Sequence, residues 1–311
     1  MNSLIPLRKK LDTELCFEKP KHPFLAEITA VTLVTISGYT ALLTFSSTTI
    51  QMIALVCIAF AMVQAGFIAH EASHCGIAST KDRNDKIGQF FLTFLTGVSY
   101  SLFCHIHQRH HANPAPKAHQ DYGGTLKLFD SVQTRVPVSL HTATLWLISI
   151  FRSYGFHVES ILYVLSHNKQ TRRERVILSA HYTLWLILPL ISLDVIDVLL
   201  NYLLLNLFSG LYIGPLLLFS HTGLKRESST FGEHCITRQY TILSSTRNII
   251  NSNILEIIFK GTREHIEHHL FPNIQYKHLR KSKIIIHDYC QKHNLEYNEV
   301  NLFKALREVT R

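Results

Sequence analysis

Three short clusters of histidine carry the chemistry this chain is able to do. They are His70-Glu-Ala-Ser-His74, His107-Gln-Arg-His110-His111 and His265-Ile-Glu-His268-His269. On a helix, residues three and four apart share a face, so each cluster aims two or three imidazoles at one point. First-row transition metals accept such a set, with the neutral ring nitrogen as donor. Histidine is 20 of the 311 residues, so an HxxHH pattern arises by accident roughly 0.08 times in such a chain. Two occurrences plus an HxxxH are well above that. Eight ligands are too many for one ion, and two metals held mainly by imidazole fit the count better.

The elements that must hold these clusters are visible in the placement of charge. Mean hydropathy is only +0.12, but the apolar residues are gathered into long runs. Ile28 to His70 contains no Asp, Glu, Lys or Arg, and neither do Val176–Leu193 and Val198–Leu224. Runs of this length hold spans of about 20 residues. The expected fold is therefore all-α and integral to a membrane, with four transmembrane helices in two hairpins. The spans are read at about 28–45, 50–69, 176–192 and 198–219. Residues 87–104 are apolar but interrupted by Gly97 and Ser99. A fifth crossing there would separate the first two boxes, so a re-entrant or interior helix is expected. A weaker apolar stretch at 140–151 reads as interfacial, and Leu279–Cys290 reads equally as a membrane-surface helix or an ordinary amphipathic one. The whole chain, 1–311, reads as one domain.

Net charge is +9, yet its distribution argues against nucleic acid. Lys and Arg are absent from 27–79 and from 176–224, which is the pattern of basic residues retained on the inner side of a membrane. Both hairpin tips lack them. The termini, the centre and all three boxes then share the inner side, with a helical cytoplasmic cap around the metals. The six cysteines show no CxxC and no regular spacing, so neither a disulfide scaffold nor a thiolate zinc site is expected. No apolar run follows Arg8, Lys9 and Lys10 before Glu14, and no cleavable signal peptide is expected.

The three boxes together resemble the membrane fatty acid desaturase family, with its HxxxH, HxxHH and HxxHH pattern. The likeness extends to Arg83-Asn84-Asp85-Lys86-Ile87-Gly88, similar to the family's Asn…Gly segment, and to His268-His269-Leu270-Phe271-Pro272, similar to its EHHLFP ending. It covers about 60–297. The resemblance implies two iron ions as cofactor, dioxygen as co-substrate, and an acyl-lipid, acyl-CoA or acyl-carrier substrate. It also implies a separate electron donor of the ferredoxin, rubredoxin or cytochrome b5 type. The eight box histidines would be the metal ligands. His221, near the inner end of the last span, matches a place where the family often carries a further ligand. His105, His119 and His234 are left as surface or supporting residues. Glu71 and Glu267 are read either as acceptors from the outer nitrogens of ligating histidines or as surface carboxylates.

Rival readings are weaker. His70-Glu71-Ala72-Ser73-His74 is also a literal HExxH, the signature of a zinc protease. That chemistry needs one further ligand and leaves both HxxHH clusters without a use. A metal transporter would carry its ligands near the bilayer midplane, whereas these boxes lie at or beyond span ends. Related di-iron hydroxylases and oxidases of fatty acids, sphingolipids or carotenoids carry similar boxes, and the EHHLFP ending favours acyl desaturation. The expected location is a bacterial inner membrane with the site facing the cytoplasm, or the endoplasmic reticulum in a eukaryote.

Overall fold

The computed structural model describes residues 4–18, 24–112, 135–167, 169, 171–220, 224, 235–250 and 253–309. Helices dominate throughout. In chain order they are α1 (Ile5–Thr13), α2 (Leu25–Thr44), α3 (Thr48–Ser73), α4 (Lys81–Gly88), α5 (Tyr100–Ala112), α6 (His141–Ile150) and α7 (Arg152–Ser166). There follow α8 (Arg172–Tyr182), α9 (Val195–Phe219), α10 (Cys235–Ser245), α11 (Asn253–Phe259), α12 (His265–Leu270), α13 (Tyr276–Lys292) and α14 (Leu302–Val309). A small departure from the expected all-α fold is a two-stranded parallel ribbon. In it β1 (Asn248–Ile250) pairs with β2 (Glu299–Asn301), in the register Ile249 to Val300. The chain divides into two compact units, one of 21–105 and 146–215, the other of 1–20, 106–145 and 216–311.

Among the described residues, four helices are long and apolar enough to cross a membrane: Leu25–Thr44, Thr48–Ser73, Arg172–Ile191 and Val195–Leu217. They fall where the uncharged runs place them. Their outward faces carry Leu33, Ile36, Ile53, Val56, Ile196 and Leu199, each more than half exposed. Such a continuous apolar surface belongs in hydrocarbon. In α2 the inward stripe Val31, Thr35, Gly38, Leu42 follows the 4-3-4 spacing of a packing seam. The second hairpin turns at Asp194, whose carboxylate accepts from the Asp197 amide at 2.9 Å and so starts α9. Gly210 and Gly214 form a GxxxG on α9. A Cβ at Gly210 would strike the carbonyl oxygen of Ile150, and one at Gly214 that of Ser149. Small residues there allow the two backbones to touch.

The apolar segment between the hairpins is not a straight span. A helix over Lys81–Leu95, π-helical from Gln89, ends at a break and meets α5 at a bend of 113°. Gly97 sits at the break with φ +75, a backbone conformation that only glycine adopts freely.

The second unit has its own apolar core. Leu7 and Leu11 of α1 pack with Leu243, Ile266, Phe271, Leu279, Ile285 and Ile286. Helix α13 turns its apolar side into this core, with Leu279 at 2% and Ile286 at 0% exposure. The ordinary amphipathic reading of 279–290 is the one that holds. Cys16, Cys57, Cys75, Cys104 and Cys290 form no disulfide among the described residues.

Candidate metal centre

The first box closes α3. His70 lies in its last turn, His74 caps its C-terminus, and the two rings stand 5.1 Å apart edge to face. The chain then folds back sharply, with the Gly76 amide on the Glu71 carbonyl at 3.0 Å. A Cβ at Gly76 would collide with the Glu71 carboxylate. Buried Asn84 holds the turn: its carbonyl accepts from the amides of Ile77 and Ala78, and its Nδ2 donates to the carbonyls of Ala78 and Thr80. Gly88 leaves room for the Tyr100 ring. The Asn…Gly segment thus has a mechanical role behind box one. Burial, reinforced by the neighbouring His70, holds the His74 imidazole well below its ordinary pKa. That keeps it in the neutral form that ligates.

Boxes two and three lie together in the second unit. His107, His110 and His111 are on α5; His265, His268 and His269 are on α12. His110, His111, His268 and His269 are all buried. The ligand atoms of His110, His265 and His269 lie within 4.8 Å of one another, and so do those of His107, His111 and His268. Each group of three is crossed: an i, i+4 pair from one helix is joined by the i+3 histidine of the other. Within the pairs, His107 Nε2 faces His111 Nε2 at 3.1 Å, and His265 Nε2 faces His269 Nε2 at 3.0 Å. Two nitrogens about 2.1 Å from one ion, at a right angle, are roughly 3 Å apart. The donor set, neutral imidazoles at that separation, therefore fits two transition-metal ions. The six residues divide three and three.

The shell behind box three was not anticipated. Glu267 is fully buried but its carboxylate meets no histidine among the described residues. It accepts from Asn248 Nδ2 at 2.9 Å and from the Tyr297 hydroxyl, which corrects the expectation for this residue. Asn248 also accepts from the Ile266 amide at 3.0 Å and donates to Tyr297. One asparagine thus clasps both the backbone and the side chain of α12. Burial pushes the Glu267 carboxyl up to about 7, against the opposing pull of its Tyr297 and Asn248 hydrogen bonds. Glu71 is buried as well, so neither box carboxylate is a surface group. His105 is exposed. His221, His119 and His234 lie outside the described residues.

Helical spans and paired imidazole triads define a membrane-bound metalloprotein. The model of the fatty acid desaturase family matches residues 48–301, and the chain belongs to that family. It is an oxidoreductase acting in fatty acid metabolism. It is 24% identical over 327 residues to a Delta(8)-fatty-acid desaturase of Borago officinalis, covering 93% of this chain and 69% of that one. To the Delta(6)-fatty-acid desaturase fat-3 of Caenorhabditis elegans it is 22% identical, over 96% of this chain and 71% of the relative. To an acyl-lipid (9-3)-desaturase of Physcomitrium patens it is 24% identical, over 86% and 55%. These relatives are eukaryotic and lend no support to the bacterial inner membrane expected above.

Proposed function

We propose that the protein introduces a cis double bond into an acyl chain, using dioxygen and two electrons, at a di-iron centre. The proposed ligands are His70, His74, His107, His110, His111, His265, His268 and His269, with His221 as a further one. The observation that carries this reading is the crossing of boxes two and three into two triads in a chain of this family. It also leaves the HExxH protease reading without support, because a single zinc would use neither triad.

The carbons to be oxidised offer no polar handle, so acid–base chemistry alone fails there. Bound iron supplies the oxidising power to remove hydrogen from such a carbon. The chain's own residues do the rest. His110, His111, His268 and His269 are held out of bulk water by their burial, and Asn248 and Tyr297 fix α12. One catalytic domain spans 1–311, with the spans as two hairpins and a helical cap on the cytoplasmic side that holds the metal site. The substrate is an acyl-lipid, acyl-CoA or acyl-carrier thioester. The electron donor is a separate acidic protein of the ferredoxin, rubredoxin or cytochrome b5 type, attracted to the basic inner face. Given the eukaryotic relatives, the endoplasmic reticulum is the favoured membrane.

The test is to express the chain with a working donor in a host of simple lipids and locate new double bonds by mass spectrometry. A product lighter by two hydrogens supports desaturation, and one heavier by an oxygen supports the related hydroxylase reading. Unchanged lipids from a folded, iron-loaded protein would overturn both.

A further inference from the structure

The break before α5 exposes backbone groups in an apolar segment, and their partners can be counted. The first four amides of a helix have no partner within it, and at membrane depth each unsatisfied one is costly. Here all are met by side chains. The Ser99 amide donates to Ser160 Oγ at 2.8 Å, the Tyr100 amide to Thr93 Oγ1 at 3.1 Å, and the Leu102 amide to Ser99 Oγ at 3.1 Å. The Ser101 amide donates to Glu174 Oε1, also at 3.1 Å. On the other side of the break, His181 Nδ1 donates to the Phe94 carbonyl at 2.8 Å, and Tyr202 meets His181 Nε2 at 2.9 Å.

Glu174 stands out in this set. It is 1% exposed, in the first turn of α8. It takes the Thr93 hydroxyl at 2.8 Å besides the Ser101 amide, and no Lys or Arg pairs with it among the described residues. A buried carboxylate is expensive unless hydrogen-bonded, and a serine could satisfy one amide at less cost. What the longer side chain adds is reach: from α8 it sets one oxygen against both the Thr93 hydroxyl and the Ser101 amide, and so ties the break to the first turn of α5. The same α5 carries box two, beginning six residues beyond Ser101, about 9 Å along the axis. A helix transmits rotation rigidly, so a slip of one residue at its first turn would swing every box-two imidazole by about 100°.

We propose that Glu174 is a positioning residue for the second histidine box, fixing the first turn of α5 and with it the register of His107, His110 and His111. The proposal rests on those histidines being metal ligands. Its probe is cobalt(II), titrated into the purified full-length chain in detergent, with affinity from chelator competition and geometry from the visible spectrum.

Glu174→Asp keeps the charge but draws the acceptor back by one methylene; Glu174→Gln keeps an acceptor oxygen in place; Glu174→Ala removes it. Asp and Ala should weaken cobalt binding about 10-fold, the lower end for loss of a residue that orients a ligand, and shift the cobalt bands. Gln should restore both towards wild type. A folded Glu174→Asp protein with wild-type affinity and spectrum overturns the proposal, whether or not the alanine variant folds. If the wild-type chain binds no cobalt, the metal reading itself fails, a result that no variant is needed to recognise.

Discussion

The two units of this protein bury polar side chains to opposite ends. In the membrane-capable unit several of them turn towards the backbone. Ser160, Thr93, Glu174 and His181 each serve an amide or carbonyl laid open by the broken helix. In the other unit the buried imidazoles turn towards one another, gathered in threes. Histidine appears in both settings, and its meaning differs. His181 has a carbonyl on one nitrogen and a tyrosine hydroxyl on the other; in the neutral ring this fixes Nδ1 as the donor and leaves no atom for a ligand. What makes a histidine a ligand is therefore the company its nitrogens keep, and burial is common to both.

That contrast can be broken at its strong end first. Replacing His268 with Ala removes one member of a triad, and desaturated product should fall below detection, with metal content reduced in the folded protein. Retained activity would take box three out of the metal site. Next is Asn248→Ala, which touches no ligand but releases both the Ile266 amide and the Glu267 carboxylate. A loss of about 10-fold in metal affinity is expected, read by chelator competition. An unchanged affinity would mean that α12 is held by its neighbours alone.

His181→Leu should do the reverse. It strands the Phe94 carbonyl and leaves the Tyr202 hydroxyl to His157 at 3.3 Å, at about 1–3 kcal/mol of stability, seen as a lower melting temperature in detergent. The metal-to-protein ratio of the folded fraction should hold. Loss of metal with unaltered melting would erase the distinction between the two kinds of histidine. Smallest is Tyr297→Phe, which removes one donor from Glu267 and should cost about 1 kcal/mol with most of the activity kept.

Much of this was legible in the residues themselves. The four spans follow from uncharged runs, and the boxes from spacing, because both signals are local. Gly97 and Ser99 marked the interruption in 87–104. The rest depends on partners far apart in the chain. Asn248 reaches Tyr297, 49 positions on, and Glu174 reaches back 73 positions to Ser101. No periodicity announces such pairs. The short ribbon of β1 and β2 escaped because three-residue strands carry too little pattern. The seating of α1 on α13 escaped because its basic residues hide an apolar stripe, Leu7 and Leu11. Glu267 fits neither of its two readings, acceptor from a ligating histidine or surface carboxylate, for a related reason: its helix turns it inward towards Asn248.

The crossing of the triads has a consequence for assembly. Neither α5 nor α12 can offer a complete set to an ion alone, so the first metal to arrive must tie the two helices together. In doing so it brings the second set of three into place, and the entropy of joining the helices is lost only once. Metal uptake should then be cooperative, with singly loaded chains scarce at half saturation, so that the protein passes nearly directly from empty to complete.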